Sequence, residues 1–483
     1  MANGGIIGTV NNPTSSTATG VWQQEEQYEA KVTDTWPERA LFTTKSLRFN
    51  SASSDRLNRT LGTPTNNLKW TYSFWIKRSK LGEEVAITEA INNSQNKALI
   101  LFRSDDQLEI LDLQSDSYVM QKKTNRKFRD VSAWYHIVFS NDSTAGSPDL
   151  KIYVNGVEET SFATDNEYSQ NQASLFNSAL ANHIGASASS RFSNCYFSEF
   201  ILIDGQALTP TSFGVTNSDG VWTPIPYSGS FGTNGFNLQF ENSAALGTDS
   251  SPNGNTFTVN NLTSIDQSTD YPVVNYATGN PLLNYNPQLT EGNLLLTSSG
   301  TAWKNSMSTI GVSSGIWYHE VKITAESGVP YGLIGVTDSY HPNSWGASPP
   351  NYLGIGYLQI GYYNDNGSYY TDDGGSGGQV SYGASYGVND IIGVLLNLDA
   401  DTPTIKFYKN DADQGSIDLP TNSNSTGLWF FMQSAYIQTM SVNYGSPAHA
   451  ISSGNTDGDG FGNFEFATKG GYTLNTANLA EFG

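Results

Sequence analysis

Hydrophobic and polar residues alternate along most of this chain, which is the pattern of half-buried β-strands rather than of helices. One such run places four apolar side chains on a single face: Trp70, Tyr72, Phe74 and Ile76. Trp75 falls on the opposite face. Similar runs recur at roughly 8–12-residue spacing with turn residues between them, as in sandwiches and jelly rolls. The pattern therefore predicts an antiparallel, all-β protein.

One motif occurs twice. Trp-Tyr-His, at 134–136 and again at 317–319, opens an apolar strand, and each copy is followed by a strand of the form Lys-x-aromatic. Those second strands run into Asn-Gly at 155–156 and Asn-Asp at 410–411. Both dipeptides suit a type I′ hairpin turn, whose two central residues need positive φ. The repeat predicts two antiparallel β domains in series.

The fold class that follows is all-β, with two antiparallel β-sandwich (jelly-roll) domains in tandem and an extended N-terminal arm. The predicted segments are the arm at 1–43, a first sandwich at 44–215, a connector at 216–291, a second sandwich at 292–447 and a C-terminal tail at 448–483. The connector is rich in Asn, Ser, Pro and Gly but keeps aromatic residues. We therefore expect it to be ordered against a neighbouring domain.

The N-terminal arm shows no alternation up to Gly20. Beyond that point it carries three aromatic residues: Trp22, Tyr28 and Trp36. A segment with such residues but no core of its own either stays disordered or packs on a partner. We favour a partner and interpret the three residues as an attachment element.

Net charge excludes one class of partner. The formal net charge is −21, whereas binding to phosphate backbones needs clustered Lys and Arg. The one cationic cluster, interpreted as a solvated strand or loop edge, contains Lys122, Lys123, Arg126, Lys127 and Arg129. No apolar run approaches transmembrane length, and the N-terminus lacks the features of a secretion signal. We expect no nucleic acid, no membrane insertion, and synthesis in a cytoplasm.

Several short motifs, taken in order, carry a family resemblance. The first set comprises 134–136, 153–156, 182–185, 197–204 and 207–209. Over about 44–215 their order and spacing resemble the laminin-G-like, concanavalin A-like jelly roll. A second set comprises 315–321, 332–336, 389–399, 404–410, 428–431 and 440–445. In that order it resembles a SPRY-type sandwich.

The connector and the C-terminal tail are similar to segments of tail and fibre proteins of bacterial viruses, especially marine ones. This resemblance implies a virion protein made in a host cytoplasm. It also implies other virion proteins as partners, reached through the arm, and a host cell-surface glycan or protein as the target. A homo-oligomer is expected, with a trimer favoured if the protein is a fibre.

Catalytic patterns are weak in this sequence. Glycoside hydrolases of concanavalin-like folds carry paired acids on one strand face, but Glu109 and Asp112 are three residues apart and fall on opposite faces. The run 383–387 matches a nucleophile elbow but lacks the following helix, and we interpret it as a loop. Cys195 is the single cysteine and is interpreted as a small buried residue. We predict no catalytic residues and no enzyme.

Metal-binding patterns are also weak. The histidines do not pair at metal spacing, and His136 and His319 sit in apolar strands. Calcium was considered at two places that could supply oxygen ligands: Asp457 and Asp459, and Asp249, Asn253 and Asn255. Asx turns explain both segments more simply. We predict no metal site and no cofactor, with calcium as the alternative.

The feature most typical of binding is a Tyr- and Gly-rich stretch in the second sandwich. The candidate recognition residues are Tyr340, Trp345, Tyr352, Tyr363, Tyr369, Tyr370, Asp372, Asp373, Tyr382 and Tyr386. Flat rings with nearby carboxylates suit sugar stacking, and Tyr-rich loops suit protein recognition. The alternative is that the tyrosines pack within the sandwich or against another subunit.

The function expected from the sequence is that of a non-enzymatic virion protein of a bacterial virus. A tail fibre or surface appendage that contributes to host recognition is the first hypothesis. A capsid-bound decoration or capsid-fibre protein is an alternative, and a secreted bacterial lectin or glycanase is another.

Overall fold

The computed structural model describes residues 43–283, 288–300, 302–338, 352–354, 358–372, 378–421, 423 and 425–483, with residue 372 described by its backbone. Residues Lys45–Gly483 form one compact unit, which holds every element named below. The predicted attachment residues Trp22, Tyr28 and Trp36 lie outside the described residues.

The N-terminal half of this unit is built from short strands and two single-turn 3₁₀ helices (Pro210–Ser212 and Ser264–Asp266). The strands are β1 (Ser46–Phe49), β2 (Arg56–Thr60), β3 (Lys69–Arg78), β4 (Val85–Asn93), β5 (Asn96–Phe102), β6 (Gln107–Gln114), β7 (Ser117–Lys127), β8 (Tyr135–Asp142), β9 (Lys151–Val154), β10 (Val157–Glu158), β11 (Phe162–Asn166), β12 (Ala181–Ile184), β13 (Cys195–Asp204), β14 (Gly214–Thr216), β15 (Trp222–Pro224), β16 (Phe236–Leu238), β17 (Thr258–Asn260) and β18 (Gln267–Ser268).

Within the described residues, two eight-stranded antiparallel sheets form the first sandwich. One has the order β10-β9-β8-β3-β13-β1-β18, with β16 added to β13, and the other has the order β11-β7-β6-β5-β4-β12-β2-β17. β14 and β15 pair separately. Strands β16, β17 and β18 come from the connector, so both sheets are completed by chain that follows the first sandwich in sequence.

Side chains of β3 show why the two sheets pack face to face. Trp70, Tyr72, Phe74 and Ile76 belong to one buried cluster shared by both sheets. Trp75 lies on the other face and packs with Trp134. The alternation predicted from the sequence is confirmed, because successive side chains of a strand point to opposite faces.

The C-terminal half contains the second sandwich. Its elements are β19 (Leu289–Thr290), β20 (Leu295–Thr297), β21 (Lys304–Met307), β22 (Ile316–Asp338), β23 (Gln359–Tyr363), β24 (Tyr369–Asp372), β25 (Gly378–Val380), β26 (Ile391–Asn397), β27 (Thr404–Lys409), β28 (Ala412–Asp418), β29 (Trp429–Asn443), β30 (Tyr472–Thr473) and the helix α1 (Thr476–Phe482). In the part of the chain that the structure describes, these strands form one twelve-stranded sheet.

The long strands β22 and β29 pair along almost their whole length and bend the sheet into two layers. The first part of β22 pairs with β26, and its last part pairs with β23. Val321 from the first part and Ile334 from the last part belong to the same buried cluster. One hydrogen-bonded sheet thus folds around a single core.

Both predicted hairpin turns have the backbone that the sequence requires. Asn155 has φ 49° and Gly156 has φ 80°. Asn410 has φ 47° and Asp411 has φ 73°. All four residues are in the left-handed region, which Asn, Asp and Gly tolerate best. The second turn therefore forms a hairpin although it has Asp411 where the first turn has Gly156.

A buried lysine joins the first sandwich to the connector. Lys77 Nζ donates to Asp270 Oδ2 at 2.7 Å, to Asn275 Oδ1 at 2.7 Å and to the Tyr276 carbonyl at 2.8 Å. Trp134 Nε1 donates to the other oxygen of Asp270 at 3.0 Å. The Lys77 and Asp270 side chains are only 1% and 2% exposed. Each charge is therefore compensated by a protein partner instead of water.

The predicted fold class is confirmed: the chain is almost entirely β, with tandem antiparallel sandwiches. The segment boundaries given above stay predictions. No helix in the described residues is long and apolar enough to cross a membrane.

Candidate functional site

The alternation of strands β23 and β24 separates the predicted recognition tyrosines into two groups. Tyr362 and Tyr369 pair across these strands and face the core of the second sandwich. Tyr363 and Tyr370 point to the opposite, outer face, where they pack on a different buried cluster. Neighbours in sequence therefore lie on different sides of the sheet.

The outer face carries six half-buried aromatic side chains, which we call the aromatic surface: Trp303, Tyr331, Tyr352, Tyr363, Tyr370 and Tyr436. Four of them stand on the adjacent strands β29, β22, β23 and β24, in the order Tyr436, Tyr331, Tyr363, Tyr370. Their successive ring centroids are 6.0, 5.9 and 5.3 Å apart. The result is a continuous row of rings across four strands.

Trp303 and Tyr352 extend this row. The Trp303 ring lies 5.7 Å from that of Tyr436 and 4.9 Å from that of Tyr352. The Tyr352 ring lies 5.6 Å from that of Tyr370. Tyr352 thus connects the two ends of the row, and the six rings form one contiguous patch.

An apolar floor supports these rings. Leu333, Leu353 and Met432 are buried beneath them. The Leu353 amide donates to Ser434 Oγ at 2.9 Å, which fixes residues 352–354 against strand β29. Gly361 leaves room for the side chains of Leu333 and Leu353, because a Cβ there would come within 2.8 Å of Leu333 and 3.1 Å of Leu353. Trp303, Tyr352, Tyr363 and Tyr370 therefore rest directly on packed side chains.

Electrostatics at the aromatic surface disfavour anions. Burial, followed by the charge of Asp365, raises the pKa of Tyr363. Burial also raises the pKa of Tyr370, with smaller contributions from Tyr352 and Asp365. The four close contacts between a cation and a ring in the described part of the chain lie elsewhere. The surface is thus a set of neutral hydroxyl-bearing rings beside a carboxylate.

The remaining described tyrosines of the predicted set serve the core. Tyr386 is 5% exposed, and its hydroxyl donates to the Tyr362 carbonyl at 2.7 Å. Tyr369 and Tyr382 pack on the core from its edge, with ring centroids 5.7 Å apart. We leave these three out of the aromatic surface. Tyr340, Trp345, Asp373 and the side chain of Asp372 lie outside the described residues.

Sequence reasoning missed half of the aromatic surface, namely Trp303, Tyr331 and Tyr436. Tyr331 is placed beside Tyr436 by direct pairing of β22 with β29. Trp303 directly precedes β21, whose first residue, Lys304, pairs with Ala435, the residue before Tyr436. Tyr331 and Trp303 are each more than 100 positions from Tyr436 in the chain, so the pairing register was needed to find them. One local indication was present in the sequence: Tyr331 lies two residues before Leu333 and therefore on the same strand face.

The geometry separates the candidate acids of β6, as their spacing predicted. The Glu109 carboxylate accepts hydrogen bonds from Arg103 and from Gln121. The Asp112 carboxylate instead accepts from Tyr168 Oη at 2.8 Å, on the side of the core. Burial raises the pKa of Asp112. These two acids cannot flank one glycosidic bond, which needs both carboxyl groups in one cleft.

The two histidines of the repeated motif, which lie in apolar strands, are both 0% exposed. Trp222 Nε1 donates to His136 Nδ1 at 3.0 Å, and His136 Nε2 lies 2.9 Å from Ser73 Oγ. An indole N–H can only donate, so Nδ1 is the acceptor and Nε2 carries the proton. Burial lowers the pKa of His136 to about 3. This imidazole is a neutral structural bridge.

The calcium candidates are turns whose carboxylates already accept protein hydrogen bonds. Asp457 Oδ1 accepts from the amides of Asp459 and Phe461, and Oδ2 accepts from the Thr473 amide and from Asn478 Nδ2. Among the described residues, no three His, Cys, Asp or Glu side chains cluster as metal ligands would.

The Asp249 carboxylate is used in the same way. Oδ1 accepts from the amides of Asn237 and Ser251, and Oδ2 accepts from the Asn255 amide and the Ser251 hydroxyl. With both oxygens engaged, neither this carboxylate nor that of Asp457 points a free lone pair into open space. The Asx-turn interpretation is confirmed for both segments.

The cationic cluster is largely neutralised by acids. Lys123 pairs with Asp105, Arg126 with Glu159 and Arg129 with Asp106. The interpretation as a solvated edge is wrong for Lys122, whose side chain is 3% exposed and contacts three carboxylates: Asp149, Asp165 and Glu167. Cys195 is buried in the core of the first sandwich, as predicted.

Comparison with known families supports the concanavalin A-like part of the fold. Residues 51–213 match the family described as the concanavalin A-like lectin/glucanases superfamily, under its laminin G heading. The matched range contains strands β2 to β13 and omits both β1 and the connector strands. A search of curated proteins finds no match.

Several solved structures are similar to this chain over part of its length. A human SPRY domain is 21% identical, covering 33% of this chain and 94% of that chain with a TM-score of 0.24. Domains LG4-5 of the mouse laminin alpha1 chain are 9% identical, covering 82% of each chain with a TM-score of 0.30. A putative carbohydrate binding protein from Bacteroides ovatus is 15% identical, covering 46% of this chain and 59% of that chain with a TM-score of 0.31.

Proposed function

We propose that the protein is a non-enzymatic structural protein of a bacterial-virus particle, a tail fibre or surface appendage, that contacts a host glycan through the aromatic surface. The aromatic surface is the observation that carries the recognition part of this proposal. The resemblance of the connector and tail to virus fibre proteins supports the virion part.

A neutral glycan is the ligand that this surface fits best. Sugar rings present apolar C–H faces, which stack on aromatic side chains, and hydroxyl groups, which pair with phenol hydroxyls. The rings are held by a packed floor, so little conformational entropy is lost when a ligand binds. Asp365 and the net charge of −21 disfavour acidic polysaccharides.

Single alanine substitutions test the recognition site. Tyr331→Ala, Tyr363→Ala and Tyr370→Ala should each weaken binding of the purified chain to its glycan by about thirtyfold, or ~2 kcal/mol, as loss of a rigid central aromatic typically does. Glycan arrays of neutral and acidic bacterial surface polysaccharides identify the ligand, and calorimetry then measures the affinity.

A matched control is Tyr118→Ala. Tyr118 is 53% exposed on β7 of the first sandwich, away from the aromatic surface. The Tyr118→Ala variant should bind the glycan with the parent's affinity. Parent-like binding by all three surface variants would refute the proposed site. A change in oligomeric mass without a change in glycan binding would instead favour lateral packing, as in a capsid decoration protein.

The attachment role of the arm has its own test. A chain that begins at residue 42 should fold with the parent's circular dichroism spectrum, because the compact unit begins at Lys45. It should not be incorporated into particles, because it lacks Trp22, Tyr28 and Trp36. Electron microscopy and immunoblotting of purified particles provide the readout. Normal incorporation would exclude attachment through the arm.

A further inference from the structure

A cleft of about 210 Å³ lies between the connector and the chain that follows β29. One wall is formed by residues 264–269, and the other by residues 446–451 together with Asn463. The cleft therefore exists only where the connector meets the second sandwich. Junctions of this kind are common positions for small-molecule sites.

Hydrogen bonds tie the two walls together. Ser446 Oγ lies 2.6 Å from Ser268 Oγ, and Thr269 Oγ1 donates to the Gly445 carbonyl at 3.2 Å. Buried Arg48 donates to the Ile265 carbonyl at 2.9 Å and to the Pro447 carbonyl at 3.4 Å. A guanidinium group thus bridges the main chains of both walls. The cleft is preformed, which lowers the entropic cost of binding.

Polar groups in the lining have hydrogen-bonding capacity left over. Gln267 uses its Nε2 to donate to the Phe240 carbonyl at 2.6 Å, which leaves Oε1 as an acceptor. Among the described residues, the Ser264 hydroxyl and the Asn463 side-chain amide have no hydrogen-bond partner. Donors and acceptors from two separate segments therefore face one space.

The lining carries no formal charge at neutral pH. Burial, followed by the nearby charge of Lys322, lowers the pKa of His449 to about 4, so the imidazole is neutral. The side chains of Ile265, Pro447 and Ile451 add apolar surface. A charged ligand would lose its hydration here, and no side chain of the lining would supply a counter-ion.

We propose that this cleft binds one neutral monosaccharide unit, or a polyol of similar size, independently of the aromatic surface. Hydroxyl groups of such a ligand match the amide and hydroxyl groups of the lining, and its C–H groups match the apolar residues. The volume is below the ~300–1,000 Å³ of sites for drug-sized ligands, so the cleft holds a single ring.

The test uses the full chain and three probes: methyl glucoside, methyl galactoside and N-acetylglucosamine. Saturation-transfer difference NMR should give a saturable signal for at least one probe, with a Kd of roughly 1–10 mM, as expected for so small a ligand. Glucuronate and glucosamine, the charged counterparts, should bind more weakly.

Two substitutions assign the signal to the cleft. Ala450→Trp fills the cleft from an exposed lining position, and Asn463→Leu removes a polar side chain that lines it. Each should lower the signal at least about fivefold, roughly 1 kcal/mol. Tyr118→Ala, on β7 of the first sandwich, should leave it unchanged, and Tyr363→Ala reports the share of the signal that comes from the aromatic surface. This comparison separates the cleft from the proposed recognition site.

Three results would overturn the proposal. One is the absence of a saturable signal with every probe, and the second is a parent-like signal in both cleft variants. The third is loss of the signal in Tyr363→Ala, which would place the sugar on the aromatic surface instead. If Ala450→Trp fails to fold, Asn463→Leu still decides the question, because the Asn463 side chain makes no hydrogen bond to the described residues.

Discussion

Lys77→Met is expected to lower the free energy of unfolding by about 3–5 kcal/mol, the usual cost of removing one partner from a buried ion pair. The Asp270 carboxylate would stay buried at 2% exposure without its ammonium partner. Asn275 and the Tyr276 carbonyl would each lose a donor as well. Methionine keeps most of the apolar length of the lysine stem, so the loss reports mainly on the charge. Urea unfolding followed by tryptophan fluorescence provides the measurement.

Two variants control this experiment. Lys80→Met removes an exposed pair with Glu83, at 52% and 42% exposure, and should cost no more than ~1 kcal/mol. The double variant Lys77→Met/Asp270→Leu should recover part of the loss, because it leaves no uncompensated charge. A loss below about 1 kcal/mol in Lys77→Met would mean that water reaches Asp270 and that the buried pair does not stabilise this junction.

The parts of the fold that follow local rules could be predicted from the sequence. Alternation from Trp70 to Ile76 fixed which side chains enter the core, because the strand period is two. The turns at 155–156 and 410–411 followed from the need for positive φ. The opposite orientations of Glu109 and Asp112 followed from their spacing.

The aromatic surface could be predicted only in part, because it depends on strand register. Tyr363 and Tyr370 were found as members of a Tyr-rich stretch, yet Tyr369 from the same stretch faces the core. Tyr331 and Tyr436 became neighbours through pairing of β22 with β29, across about a hundred residues. Composition shows that tyrosines are plentiful, and register decides which of them share a face.

Burial of charge was the other feature that the sequence did not show. Lys77 and Lys122 look like ordinary surface lysines in the sequence, but both are buried among acceptors. Their partners include Asp270 and Glu167, which are far away in the chain. A lysine is buried only when the fold brings compensating groups to it, and long-range contacts cannot be deduced from a local pattern.

The second large effect concerns pH and a single buried histidine. His319 is fully buried between the rings of Phe431 and Tyr444, with centroids 4.2 and 5.4 Å away. Burial lowers its pKa to about 3, against 6.5 in the unfolded chain. Below pH 6.5 the unfolded state therefore binds a proton that the folded state does not. The stability contributed by His319 is complete above pH 6.5 and is lost as the pH falls toward 3.

We expect His319→Leu to become more stable relative to the parent by about 1.4 kcal/mol for each pH unit below 6.5, or about 2 kcal/mol at pH 5. The difference between the two proteins is the quantity to measure. The parent's own pH profile also contains Asp55 and Glu320, whose pKa values burial raises to about 7 and which act in the opposite direction. Those carboxylates are present in both proteins and cancel in the difference.

Gln433→Leu is the matched control, because Gln433 Nε2 lies 3.3 Å from His319 Nε2 and is the imidazole's hydrogen-bond partner. This substitution breaks the same contact but keeps the titrating group. Its stability difference from the parent should therefore stay constant between pH 7.5 and 5, whereas that of His319→Leu should change with pH. Parallel pH profiles for His319→Leu and the parent would show that the imidazole can be protonated inside the folded sandwich. Water or a counter-ion would then have to reach His319 beside Phe431. A charged imidazole that was buried without either would cost more free energy than unfolding the protein.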